Sequence, residues 1–192
     1  MDIRAAMTTD VLIAADRIAE RVAEIGAELT RRFAGRVPVV VGVLQGTFPF
    51  VADLVRATDL ALEVEFLSLS RFGAGGRVRV THDVGVDLTG RDVVLVEDIV
   101  DTGLTLRTLL AQLSARRPAS ITTVALLDKR PRRLVEVPVD LTGFEIGDEF
   151  VVGYGMDYRG HHRHHPDIHV VLDLAAFSEE SPADDARARS AD

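Results

Sequence analysis

The chain has 192 residues, 47% of them hydrophobic, and a formal net charge of −8. That is enough for one globular domain with a sizeable core, and the wrong sign for a broad nucleic-acid-binding face. No apolar run approaches the roughly 20 residues of a membrane span, residues 1–10 lack the basic and apolar regions of a secretory signal, and the absence of cysteine removes disulfides, thiolate catalysis and Cys-ligated metal. A cytoplasmic protein with neither a nucleic-acid nor a membrane partner is expected.

Ile18, Val22, Ile25, Leu29 and Phe33 recur at intervals of three and four residues, which puts them on one face of an N-terminal helix that covers a sheet. Residues 39–44 form an almost wholly apolar run followed by Gln45-Gly46-Thr47 and Pro49, a buried strand feeding a turn and a helix start. Leu62, Val64 and Phe66 alternate with Glu63 and Glu65, the pattern of a strand with one wet face. Residues 71–77, with three glycines, read as a mobile loop.

The apolar run 93–96, the helical spacing of 104–113 and a returning strand at 121–127 compose a βαβ unit, hence an α/β fold with a mostly parallel sheet. In such sheets ligands collect beyond the carboxyl ends of the strands. Residues 151–152 and 169–172 read as further strands, closing a domain at about residue 177, and the small, charged and polar composition of 178–192 predicts a disordered acidic tail.

The segment 93–106 reads V-V-L-V-E-D-I-V-D-T-G-L-T-L, an apolar strand delivering three carboxylates into a Thr/Gly loop that opens a helix. Adjacent acids at a strand end, Glu97 and Asp98, supply the hard anionic oxygens that sugar hydroxyls and a magnesium ion require. Thr102, Gly103, Leu104 and Thr105 present backbone N–H groups and two hydroxyls at a helix N-terminus, where exposed donors and the helix dipole favour a phosphate. The ordinary alternative is that Asp101 caps the helix while Glu97 and Asp98 are solvated. Neither G-x-x-x-x-G-K-[ST] nor a strand-following G-x-G-x-x-G is present, so P-loop and Rossmann sites are poor readings.

This segment resembles the 5-phosphoribosyl 1-pyrophosphate signature of type I phosphoribosyltransferases, in particular the hypoxanthine-guanine branch. Three more segments agree in order and spacing: Val43-Leu44-Gln45-Gly46-Thr47 is similar to the family's pyrophosphate loop, Leu126-Leu127-Asp128-Lys129-Arg130 to its base-reading lysine segment, and Phe150 through Tyr158, F-V-V-G-Y-G-M-D-Y, to its purine-stacking segment. The likeness spans roughly residues 11–174.

The resemblance implies a type I fold with a small hood over the purine, and a purine-salvage enzyme joining hypoxanthine or guanine to ribose 5-phosphate with release of pyrophosphate and a nucleoside monophosphate, IMP or GMP. It implies Mg2+ as cofactor and a homodimer or homotetramer. It assigns Glu97 and Asp98 to the ribose hydroxyls and metal, and Asp101 to the general base at purine N7. Thr102, Gly103, Leu104 and Thr105 take the 5′-phosphate, and Gln45, Gly46 and Arg163 the pyrophosphate, with Arg133 in the same neighbourhood. Lys129 faces the 6-oxo group, Phe150 stacks on the ring, the Val151 backbone bonds the base edge, and Asp157 binds a second magnesium. By ordinary expectation Phe150 and Val151 are core residues and Lys129 and Arg163 solvated charges.

Departures from the pattern accompany these matches. Gln45 replaces the Lys or Arg usual after the loop leucine, and Arg71-Phe72 stands where the mobile lid normally has a Ser-Tyr pair, so that Arg71 is a candidate to restore the lost charge. In the family the Leu44–Gln45 peptide is cis. His161, His162, His164 and His165 surround Arg163; they suit a transition metal in type but lack a carboxylate or cysteine partner at metal spacing, so a solvated loop that gains charge below about pH 6.5 is expected. Two other functions use the same pocket, a regulator that senses the donor and a catalytically impaired subunit, and xanthine is an alternative base. The acidic chain and the presence of Asp101 argue against the regulator.

Overall fold

Consecutive strand residues point to opposite faces of a sheet, so the unbroken apolar runs 39–44 and 93–96 require cover on both sides. The computed structural model, which describes residues 9–72 and 77–172 (with the side chains of 71, 72, 77 and 78 outside that description), supplies it. In chain order the elements are β1 (Thr9–Ile13), α1 (Ala15–Arg32), β2 (Val39–Leu44), α2 (Phe48–Arg56), β3 (Glu63–Phe72), β4 (Arg77–His82), β5 (Asp92–Val100), α3 (Leu104–Ser114), β6 (Ser120–Asp128), β7 (Leu141–Glu145), β8 (Val151–Val152) and β9 (Ile168–Val171). Val40, Val94, Val96, Val124 and Leu126 meet Ile18, Val22, Ile25 and Leu29 of α1 and Phe50, Val51 and Leu54 of α2. Val39, Val41, Val43, Val93, Leu95 and Ala125 meet Leu106, Leu109 and Leu113 of α3 on the other face.

The main sheet has the order β4-β3-β2-β5-β6-β7. All neighbours are parallel except β3 and β4. The chain passes from β2 through α2 outward to β3, and from β5 through α3 outward to β6 in the opposite direction. The sheet therefore has a topological switch point between β2 and β5, and a crevice opens beyond their carboxyl ends. A second sheet, β1-β9-β8, forms the small hood. Asp167 Oδ1 ties it to the start of α1 by accepting Ala15 N–H at 2.8 Å, and the Tyr154 hydroxyl ties it to α2 by donating to Asp53 Oδ2 at 2.6 Å.

The expected α/β fold, its two buried central strands and its three helices are all present. The expected loop 71–77 is narrower: β3 and β4 form an antiparallel hairpin pairing Arg71 with Val78 and Phe72 with Arg77, and its connection, 73–76, lies outside the described residues. So do the side chain of Arg71, the domain boundary at 177 and the tail 178–192.

Candidate active site

The loop after β2 and the end of β5 meet at the switch point. Gly46 is pressed so closely on Asp98 that a Cβ there would lie 1.5 Å from Asp98 Oδ2. The Leu44–Gln45 peptide that begins this loop is cis. Together the two segments wall a cavity of about 370 Å³ lined by Gln45, Gly46, Glu97, Asp98, Asp101, Thr102, Gly103 and Thr105, with Asp157 and Arg163 reaching in from the hood side. Ten of the residues singled out from sequence thus share one pocket.

Glu97 is buried, 5% exposed, inside β5, which runs on past the expected strand end to Val100. Asp98 is partly buried and its Oδ1 accepts the Ile99 N–H at 2.8 Å. Burial pushes its pKa up to about 6; the backbone N–H bonds and Arg163 oppose the shift, and the nearby Asp157 carboxylate adds to it. Burial favours the neutral form of a carboxyl, so this one takes a proton as pH falls through about 6.

Asp101 does not cap α3. Gly103 is the N-cap, in the left-handed conformation with φ +82°, and a Cβ there would come within 2.8 Å of the Val135 carbonyl oxygen. The Thr102 hydroxyl accepts the Leu104 N–H at 3.4 Å, and the helix N-terminus opens on the cavity through Gly103, Thr105 and Leu106. Leu104, expected to help hold phosphate, is 40% exposed and does not line the cavity. Asp101 Oδ1 instead accepts from Arg132 Nε at 2.8 Å.

Arg163 sits at a crossing. One Nη donates to the Gly155 carbonyl at 2.6 Å, and the other pairs with Asp157 Oδ1 at 2.6 Å and reaches Gln45 Oε1 at 3.5 Å. Gln45, the departure from a basic residue, therefore lies against a guanidinium. Lys129 is buried, donates from Nζ to the Glu149 carbonyl at 2.5 Å, and is pushed below the usual lysine range chiefly by burial, with Asp101 acting in the opposite sense. Phe150 is half-buried and meets Tyr158 edge to face at 5.8 Å, and Val151 is buried in β8.

Arg133, expected near the pyrophosphate, does not line the cavity. Its Nη2 and Nε donate to the buried Asp128 Oδ1 at 2.7 and 3.2 Å. The histidines also depart from expectation. His162 and His165 stack with ring nitrogens 3.2 Å apart, and burial, followed by repulsion from neighbouring imidazoles such as His164 and His169, holds both below 6.5, so these two charge at lower pH than free imidazole. Among the described residues no group of three or more His, Asp or Glu side chains is arranged to hold a metal ion by itself. Sequence reasoning missed Arg132 and Glu149; the run Arg-Pro-Arg-Arg directly after Lys129 was the available signal, since a proline there predicts a tight turn that brings basic side chains back to the lysine.

The family model for the phosphoribosyl transferase domain matches residues 9–159. The hypoxanthine phosphoribosyltransferase of Haemophilus influenzae is 48% identical over 161 residues, which cover 80% of this chain and 90% of that protein. The hypoxanthine phosphoribosyltransferase of Escherichia coli K12 is 44% identical over 171 residues, 86% of this chain and 96% of that one. Among solved structures, a hypoxanthine-guanine phosphoribosyltransferase of Bacillus anthracis with a HEPES molecule in its active site has a TM-score of 0.83 and 38% identity, covering 85% of this chain and 98% of that chain.

Proposed function

This chain belongs to the phosphoribosyl transferase domain family, and from that premise we propose that its pocket moves ribose 5-phosphate from 5-phosphoribosyl 1-pyrophosphate to hypoxanthine or guanine, releasing pyrophosphate. It is a purine-salvage transferase of pentosyl groups. The observation that carries the reading is the contact between Gly46 and Asp98, which joins a pyrophosphate loop to a ribose-binding acid in one cavity at the switch point of the sheet.

In this reading Glu97 and Asp98 hold the ribose hydroxyls, and the N-terminus of α3 with Thr102, Gly103 and Thr105 holds the 5′-phosphate. Gln45, Gly46 and Arg163 face the pyrophosphate, whose negative charge grows as the anomeric C–O bond breaks. Asp101 accepts the proton from purine N7 as the new bond forms. Lys129 reads the 6-oxo group, Phe150 stacks on the ring, and the Val151 backbone meets the base edge.

The donor set fits Mg2+. Asp98 and Asp157 are hard carboxylates, close enough that the Asp157 charge raises the cost of charge on Asp98, a cost a divalent cation relieves, and magnesium commonly takes one or two carboxylates with the remaining positions on substrate phosphates and water. Bound there, the ion supplies neutralisation of the departing pyrophosphate.

The test is magnesium-dependent formation of nucleoside monophosphate from the donor with hypoxanthine, guanine, xanthine and adenine in parallel. Turnover of a 6-oxopurine supports the reading and ranks the bases. No product with any base, despite donor binding, overturns it in favour of a donor-sensing or impaired protein.

Two further results are expected. Lys129 has three donors and the Glu149 carbonyl takes one, so Nζ keeps capacity for the base. Lys129→Ala removes a charged hydrogen bond of about 1.5–3 kcal/mol and should raise the purine KM roughly 10- to 100-fold with the donor KM unchanged. An unaltered purine KM in steady-state kinetics counts against the role. Because Asp98 protonates below about pH 6, donor affinity measured with magnesium by calorimetry should weaken as pH falls through that value. The Asp98→Asn protein is the control for the donor's own titration, and equal slopes in both proteins would remove Asp98 from the explanation.

A further inference from the structure

Arg132 contacts the proton-accepting carboxylate directly, yet no step of the reaction above uses it. We propose that Arg132 is the positioning residue for Asp101: it fixes the carboxylate through one oxygen so that the other faces the purine. This rests on the assignment of Asp101 as base.

The geometry is specific. Arg132 Nε donates to Asp101 Oδ1 at 2.8 Å, so the arginine engages one oxygen of the carboxylate and not the other. A side chain as short as Asp has two rotatable bonds and two equivalent oxygens, so without a partner it samples orientations in which neither oxygen points at N7. Arg132 removes that freedom only if it is itself held, and it is. It ends a single 3-10 turn, Arg130–Arg132, whose backbone closes by the Arg132 N–H bond to the Lys129 carbonyl at 2.9 Å. The next residue, Arg133, is anchored by the nearly buried ion pair with Asp128, their side chains 10% and 2% exposed.

The turn is also joined to the loop that carries Asp101. Lys129 N–H bonds the Val100 carbonyl at 2.9 Å, and the Thr102 carbonyl accepts both Leu134 and Val135 N–H at 3.0 and 3.3 Å. Backbone bonds thus flank Asp101 on either side and place Arg132 opposite it. The pair itself is 47% and 42% exposed, where an ion pair contributes little to folding, so its value lies in orientation. A misplacement of about 1 Å costs on the order of 10²-fold in rate, so loss of orientation dominates when the arginine is removed.

The test compares wild type, Arg132→Ala, Arg132→Lys, Asp101→Asn and the Arg132→Ala/Asp101→Asn double variant by kcat, purine KM and donor KM. Arg132→Ala should lower kcat roughly 10- to 100-fold with the donor KM unchanged. Because the contact uses one N–H rather than the guanidinium fork, Arg132→Lys should restore kcat to within about threefold of wild type. In the Asp101→Asn background, removing Arg132 should change kcat by less than about twofold, since an effect acting through Asp101 is already lost. The inference is overturned by a wild-type-like kcat in Arg132→Ala, by a full loss that persists in the Asp101→Asn background, or by a rise in donor KM that lysine fails to reverse. An inactive wild type sinks the functional reading and this inference with it; an active wild type with Asp101→Asn unaffected sinks the base assignment on which the inference rests.

Discussion

Replacing Asp101 by Asn should leave donor binding intact and lower kcat by about 10²- to 10⁴-fold, the usual worth of general-base assistance. The substitution is close to isosteric, and an amide oxygen still accepts the Arg132 Nε–H that now meets Oδ1 at 2.8 Å. Thr102, Gly103 and Thr105 keep their places, because the loop is held by the left-handed Gly103 and by the bonds to the Thr102 carbonyl. What disappears is an anionic acceptor for the N7 proton. Donor affinity measured by calorimetry and kcat measured by release of nucleotide separate the two roles. A kcat equal to wild type would remove Asp101 from the chemistry and return it to the status of a surface ion pair.

Gly46→Ala should abolish tight donor binding without unfolding the protein. The added methyl would stand 1.5 Å from Asp98 Oδ2 and 2.6 Å from its Cγ, far inside contact distance. The backbone has nowhere to retreat, since a Cβ on Gly155 would already lie 2.0 Å from the Gly46 carbonyl oxygen, which shows how closely the two strands of chain are apposed. The Asp98 carboxylate must therefore give way, breaking its bond from the Ile99 N–H and leaving the position from which it meets ribose or metal. Each charged hydrogen bond so lost is worth about 1.5–3 kcal/mol, so the donor Kd should rise at least roughly 10- to 100-fold. Thermal unfolding should shift only a few degrees, because the strain resides at the end of one polar side chain rather than in the core. A donor Kd equal to wild type would mean that Asp98 is not a ligand where it stands.

Burial explains which parts of the fold were legible. β2, β5 and β6 are covered on both faces, and their sequences carry apolar runs, in β6 after the buried Thr122 and Thr123; α1 is covered on one face, and its period is plain. β1, β4 and β7 are each at a sheet edge, short and partly wet, and gain their order from a neighbour's backbone rather than from apolar side chains. Nothing in Thr9–Ile13 announces that it will pair with Ile168–Val171, far away in the chain.

The site divides in the same way. Glu97, Asp98 and Asp101 were legible because charge at the end of an apolar strand has no reason to be there in a core. The partners of these residues were not. Arg133 and Arg132 are neighbours of one type in one run, and only the tertiary structure sends the first to buried Asp128 and the second to Asp101. The histidines were recognised as a cluster, but the burial and ring packing that lower the pKa of His162 and His165 depend on ring positions that spacing does not specify.

The two bonds accepted by the Thr102 carbonyl have a consequence for how such a protein changes its preferences. In the function proposed above, they bind the stretch that follows the base-facing Lys129 to the segment that holds the sugar phosphate, so the span between those two ends of the nucleotide is written in main chain. Side chains of this turn other than Arg132 are then free to vary under selection, or in a designed library aimed at unnatural purines, while the reacting atoms stay in register. With Arg132 and Asp101 kept, diversification falls on recognition and the bond-making step is inherited unchanged.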